Sequence, residues 1–251
     1  MSAQISANNG VPETIVKMWE DEFELLRPLV TRVETDFSRF IMLVAQLEVQ
    51  AYYYTSPADQ RPNFTLNTLR TYNTSQNLIN TALTLESTCQ LLTHSPHWVY
   101  RALVDASCIL LSTLHSTAAP QHLSSSDAEV VAAQVLSLLK TCSVRDNDLP
   151  TRGSIILETF WSVRHLLPKW DIPVGAWPDR IGAATSYWCL TAFKNALQEA
   201  KNITDGTQKG IDAFQQTMDS SAIDPLQGID WSMIIDDFGW IGEGPVFLGP
   251  A

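Results

Sequence analysis

The chain has 251 residues, of which 45% are apolar, with 16 basic residues against 27 acidic ones. A formal net charge of −11 with no run of Lys or Arg excludes a direct grip on DNA, RNA or an anionic membrane, each of which needs clustered positive charge. The apolar share excludes wholesale disorder, and 11 glycines over this length disfavour a turn-rich β fold.

Residues 1–13 are polar and are expected to be disordered. A first helix follows, because Val16, Trp19, Phe23, Leu26 and Val30 recur at three- and four-residue steps. Pro28 is expected to kink or restart it. A second helix covers about Asp36 to Tyr54, with a stripe of Phe37, Phe40, Ile41, Val44, Leu47 and Ala51. A Pro-marked loop from Pro57 to Pro62 leads to a third, about Thr68 to Thr93, whose stripe includes Leu69, Tyr72, Gln76, Ile79, Leu83 and Leu91.

The fourth helix, His97 to about Thr117, is apolar on most faces, the mark of a central core helix. Arg101 and Asp105 stand four apart and can pair on its one polar strip. These two charges, and a length below the roughly 20 apolar residues a bilayer needs, set a membrane span aside. Ser126 and Glu129 read as a capping box opening a fifth helix through Leu139. A sixth runs from about Gly153 to Leu167. Asp179 can cap a seventh reaching Lys201, and Gly210 to Met218 offers a short eighth. No period-2 strand, hairpin signal or internal repeat is visible. The expected fold is all-α: a single multi-helix bundle of about seven or eight helices over residues 14–218, with a flexible acidic tail over 219–251.

No catalytic, cofactor or metal site is legible. Cys89, Cys108, Cys142 and Cys189 are widely spaced and read as buried free thiols. His94 and His97 are separated by Pro96, with no acidic third ligand nearby, and read as helix-end residues. Asp237-Phe238-Gly239 spells a kinase magnesium motif, but the other kinase motifs that should precede it are absent from the sequence. Trp161, Trp170, Trp177 and Trp188 could line a ligand cavity, although core packing or a pinned loop is the simpler reading. Residues 1–15 have no basic start and no apolar core, so no signal peptide is expected.

The tail differs from the rest. Residues 222–251 hold Asp224, Asp230, Asp236, Asp237 and Glu243 and no base, which leaves 16 bases against 22 acids elsewhere. Within Asp230 to Trp240, acids alternate with bulky apolar groups. If this segment coils, Trp231, Ile234, Ile235 and Phe238 share one face, flanked by Asp230, Asp236 and Asp237. Such a segment is too short to stay folded alone, but a partner's groove can take its aromatics. The candidate partner-binding residues are Trp231, Ile234, Ile235, Phe238 and Trp240 as anchors, with Asp236 and Asp237 for solubility and steering. Docking of the tail on its own bundle is the rival reading.

Four stretches carry a family resemblance: Phe40 to Tyr54, His97 to Cys108, Gly153 to Glu158, and Arg180 to Trp188. With them, Met18 to Trp188 resembles the C-terminal half of the fungal-specific regulatory domain of Zn2Cys6 binuclear-cluster transcription factors. The likeness is to the branch of leucine-biosynthesis, weak-acid-response and protease regulators. It implies a nuclear regulator of RNA polymerase II transcription whose helical domain answers to a metabolite or partner and controls an acidic activator. Partners implied are coactivators or Mediator-type proteins through the tail, a small-molecule effector, and a second copy in a dimer. The six-cysteine cluster, basic linker and coiled coil of that family are missing here. Zinc is therefore expected only in the absent cluster of a full-length relative, and DNA is reached only through a missing domain or a partner. The chain is then a fragment, a truncated gene model or a stand-alone derivative. Two other functions remain open: a helical enzyme of secondary metabolism with an apolar pocket, and an interaction module that sequesters a full-length factor.

Overall fold

The computed structural model describes residues 10–30, 35–56, 61–120, 124–146 and 148–169, together with positions 186, 189, 190, 192, 193, 195 and 196. Among these residues the fold is an all-α multi-helix bundle without strands. Seven helices are delimited: α1 Glu13–Val30, α2 Asp36–Gln50, α3 Phe64–Cys89, the single turn α4 Leu91–His94, α5 His97–His115, α6 Ser125–Cys142 and α7 Leu149–Val163. Short 3-10 turns follow α2 (Ala51–Thr55) and α7 (Arg164–Leu166).

Local chemistry sets the helix ends. Thr35 caps α2 in a box with Ser38: the Ser38 N–H donates to the Thr35 hydroxyl at 3.1 Å and the Thr35 N–H to the Ser38 hydroxyl at 2.9 Å. Ser124, not Ser126, caps α6, and its box partner is Asp127. The expected Ser126–Glu129 box is thus displaced by two residues, which leaves the Glu129 carboxylate for tertiary contacts. Asp148 caps α7, accepting the Thr151 N–H at 3.0 Å, with Pro150 in the first turn where its missing N–H costs nothing.

Two boundaries differ from the sequence reading for physical reasons. α1 runs through Pro28 to Val30, because the proline sits in the last turn and little helix remains for its missing N–H to disturb. The expected third helix is broken at Gln90, which is left-handed (φ 55°, ψ 43°) and ends α3. Glu86 fixes this break: its carboxylate accepts the Leu92 N–H at 2.6 Å and the Thr93 hydroxyl at 3.0 Å, capping α4.

α3 packs against α2 on one side and α5 on the other, and α5 in turn packs on α6 and α7. The centre of the core is α5, where Leu103, Leu110 and Leu111 are fully buried. Each such side chain contributes about 1.5–3 kcal/mol of burial free energy. The expectation of a central core helix holds. Phe37 and Ile41, assigned to the inner stripe of α2, are 45% and 39% exposed, while Phe40 and Leu47 are buried. Of the expected seventh helix, the described positions are helical, and Ser186, Cys189, Leu190, Phe193 and Ala196 are buried. No described helix is long and apolar enough to cross a membrane.

The helix α3 buries polar residues that an apolar stripe does not reveal: Asn67, Thr68, Thr71, Thr74, Ser75 and Thr81. Several hydroxyls turn back onto their own helix. Thr71 donates to the Asn67 carbonyl at 2.8 Å, and Thr81 to that of Asn77 at 2.7 Å. Ser107 on α5 does the same with Leu103 at 2.6 Å. This satisfies the hydroxyl locally, so short polar side chains can pack where apolar ones are expected.

Candidate functional site

The tail residues Trp231, Ile234, Ile235, Asp236, Asp237, Phe238 and Trp240 lie outside the described residues, as do Trp170, Trp177 and Trp188. Among the described residues, polar chemistry concentrates at a cleft at the end of α5, at a polar pocket of side chains inside the helix layer, and around the buried Glu20 carboxylate of α1.

The cleft has a volume of about 700 Å3, a size that suits a small organic molecule. Its lining includes Leu114 from the last turn of α5, Leu167 after α7, and Ser124 and Ser125 at the start of α6. Trp161 closes one wall. Its ring is 7% exposed, and its indole N–H donates to Glu129 at 2.7 Å. Arg164 lies over that ring, its guanidinium carbon 4.1 Å from the centroid, and donates to the Glu129 carboxylate and the Trp161 carbonyl. Glu129 therefore anchors both side chains of this wall. Of the four tryptophans, Trp161 is the one the structure describes, and it both packs and lines the cleft.

His115 ends α5 and faces the same cleft. Its Nε2 lies 3.0 Å from the Pro168 carbonyl, and its ring meets Phe160 edge-on at 5.5 Å. Burial pushes its pKa down; the Pro168 carbonyl works against this, while the charges of Lys169 and Arg164 push further down. The balance favours the neutral imidazole, in which the tautomer protonated at Nε2 can donate to the Pro168 carbonyl. His165 and Lys169 are exposed at the mouth. No carboxylate is among the described lining residues.

Inside the bundle, Asp105 is 7% exposed and accepts a hydrogen bond from the Ser186 hydroxyl. Arg101 Nε is 3.9 Å from its carboxylate, the outer limit of an ion pair. The pair expected on a polar strip is thus turned into the bundle. Desolvation raises the Asp105 pKa to about 7, with the Glu48 carboxylate adding to the rise and the Ser186 hydroxyl and Arg101 only partly opposing it. Cys108 and Cys189 lie near this group. Burial, with Asp105 adding to it, pushes the Cys189 thiol to about 12, and Cys108 well above its ordinary value, which favours the protonated thiol at both. The Tyr54 hydroxyl, beside Thr71 and Thr113, is likewise raised by burial.

Cys108, Cys142 and Cys189 are buried free thiols as expected, whereas Cys89 is exposed in the last turn of α3. His94 closes α4 and His97 opens α5, both exposed, as helix-end residues. No group of three metal-type ligands occurs among the described residues.

The cleft was missed in the sequence, yet a signal exists. Between Glu158 and Asp171 the chain carries Arg164, His165 and Lys169 and no acid, against the grain of a strongly acidic protein. No family model matches the chain, and no curated protein or solved structure matches it either.

Proposed function

We propose that this chain is the regulatory and activation portion of a transcription factor of the fungal zinc-cluster class. The bundle is its regulatory body, and residues 219–251 are its activation segment, acting in the nucleus on coactivators. DNA is reached through a separate domain or a partner. The observation that carries this reading is the composition of the tail: residues 222–251 hold five acids and no base, and Trp231, Ile234, Ile235 and Phe238 are spaced to share one face if the segment coils on a partner. Charge keeps those side chains in water until a groove takes them.

The resemblance to the regulatory domain supports the same reading. Its first three stretches are packing elements. Phe40, Leu47 and Tyr54 from the first, Val99, Leu103 and Cys108 from the second, and Ile156 and Leu157 from the third meet in one core. Packing elements of this kind suit a regulatory body.

The test is a reporter assay with the full chain fused to a foreign DNA-binding domain, beside the same fusion lacking residues 219–251. The reading expects activation that deletion removes. Equal output from the two fusions would overturn it.

A further inference from the structure

We propose that the outer face of α1 is a docking surface for an amphipathic helix of another protein, one that carries a Lys or Arg in the middle of its apolar stripe. The inference goes beyond the regulatory reading and does not depend on it.

The helix α1 has two faces. Val16 and Glu20 turn to the bundle and are buried. On the outer side, Ile15, Met18, Glu22 and Leu25 follow one another at steps of three, four and three residues, the spacing of a seam that receives a second helix. The three apolar members are left in water: Ile15 is 37%, Met18 47% and Leu25 76% exposed. Leu26, at 55%, widens the seam. Large apolar side chains scattered singly over a surface need no explanation, but a contiguous stripe of them marks an interaction site.

The charges of α1 say what fits there. The helix carries five acids, and four of them have partners. Glu13 takes Asn63, Glu20 takes Arg70, Asp21 pairs with Lys17 at 2.6 Å and Glu24 with Arg27 at 3.0 Å. The Glu22 carboxylate has no ion pair or hydrogen bond among the described residues. Its neighbours one turn away along the helix are Met18, Leu25 and Leu26. Closing a second helix over this seam takes that carboxylate out of water, which is costly unless a cation stands across from it.

The same charge disfavours two nearer occupants. In a parallel pair of two copies, Glu22 faces its own counterpart. In an antiparallel pair centred on the seam it faces Met18, with no counter-charge. The chain's own tail over residues 222–251 brings five acids and no base, and so adds like charge.

The test uses the full chain and two fluorescein-labelled helical peptides of about three heptads, followed by anisotropy. Both have Leu at the seam positions. The central one is Arg in the first peptide and Glu in the second. The Arg peptide is expected to bind saturably and at least about tenfold more tightly than the Glu peptide. Glu22→Lys should reverse that order. Met18→Gln with Leu25→Gln should weaken both peptides about tenfold or more while helical circular dichroism is unchanged; if helix is lost, Glu22→Lys alone carries the test. The proposal is overturned if the Arg peptide does not bind, if Glu22→Lys leaves the order of the peptides as it was, or if the folded double variant still binds. Two further results would name a different occupant and also overturn it. One is self-association in sedimentation that Met18→Gln with Leu25→Gln abolishes, which makes a second copy the occupant. The other is a roughly tenfold gain in peptide affinity from Trp231→Ala with Phe238→Ala, which makes the tail the occupant.

Discussion

The helices α1 and α5 are nearly the same length and both read as amphipathic or apolar helices, yet they are held in opposite ways. α5 is buried along most of its length, and apolar side chains dominate its packing: Leu103, Ile109, Leu110 and Leu111 are at most 2% exposed. α1 is exposed over its second half, with Leu25 at 76% and Leu26 at 55%. It is attached by polar groups at named points. The buried Glu20 carboxylate accepts hydrogen bonds from Gln50 at 2.8 Å, Arg70 at 2.9 Å and the Tyr53 hydroxyl. Glu13 accepts the Asn63 amide group at 2.8 Å and its N–H at 3.1 Å, and the Ser56 hydroxyl donates to the Val11 carbonyl at 2.7 Å. Few apolar contacts accompany them: Val11, Val16 and Tyr53, with Trp19 against Tyr52 at 5.3 Å. Apolar burial couples α5 to the whole fold, whereas a carboxylate hub couples α1 to three side chains. The first should fail globally and the second locally.

The largest effect is expected in the core. Leu103→Ala leaves a cavity where no neighbour can collapse easily and should cost about 2–5 kcal/mol, read as a lower urea midpoint for the entire unfolding transition. A loss below about 1 kcal/mol would mean that α5 is not the centre of the core.

Next is the pH response of Asp105, a charged group placed in that same core. Below the unfolded-state value near 3.9, both states hold its proton. Between there and about 7 the folded protein keeps a proton that the unfolded chain has released. Stability from this group therefore falls as pH rises through that window and levels off above about 7, by an amount on the order of 2–4 kcal/mol. Asp105→Asn cannot ionise, so it should match the parent near pH 4 and exceed it at pH 8. Parallel denaturation profiles for the two proteins across pH 4–8 would contradict the burial of a titrating carboxyl.

The contrast sharpens with Glu20→Ala, which removes the acceptor shared by Gln50, Tyr53 and Arg70. Arg70 is 36% exposed and can turn to water, so the cost should be about 2 kcal/mol. Hydrogen exchange should show α1 amides losing protection while α5 amides keep theirs. Uniform loss across both helices would erase the distinction between local and global attachment. The smallest change is expected for Asp148→Ala, which deletes the cap of α7 at about 1 kcal/mol, visible as a shift of a few degrees in Tm.

The helical class was legible because apolar period is a local property, and so was the central place of α5, since a helix apolar on most faces has no other stable position. The face of α2 was only half legible. Phe37 and Ile41 fit the period as well as Phe40 and Leu47 do, and only the tertiary partners decide which are covered. The polar face of α3 was hidden, because Thr and Ser can satisfy their hydroxyls on the preceding turn and then pack like small apolar groups. The attachment of α1 was hidden for a different reason: Glu20 stands in a run of acids, and nothing local marks it as the one that turns inward. The cleft is built by Leu114, Ala128 and Trp161, which are distant in sequence, and only its basic edge at Arg164, His165 and Lys169 is local enough to be read.

The most direct measurement of the central claim isolates the tail. Residues 219–251 fused to a foreign DNA-binding domain should activate a reporter strongly, and the double substitution Trp231→Ala and Phe238→Ala should remove most of that activity by deleting two anchors from one face. Silence from the parent segment, or full activity from the doubly substituted one, would contradict the assignment of an activation segment to this chain.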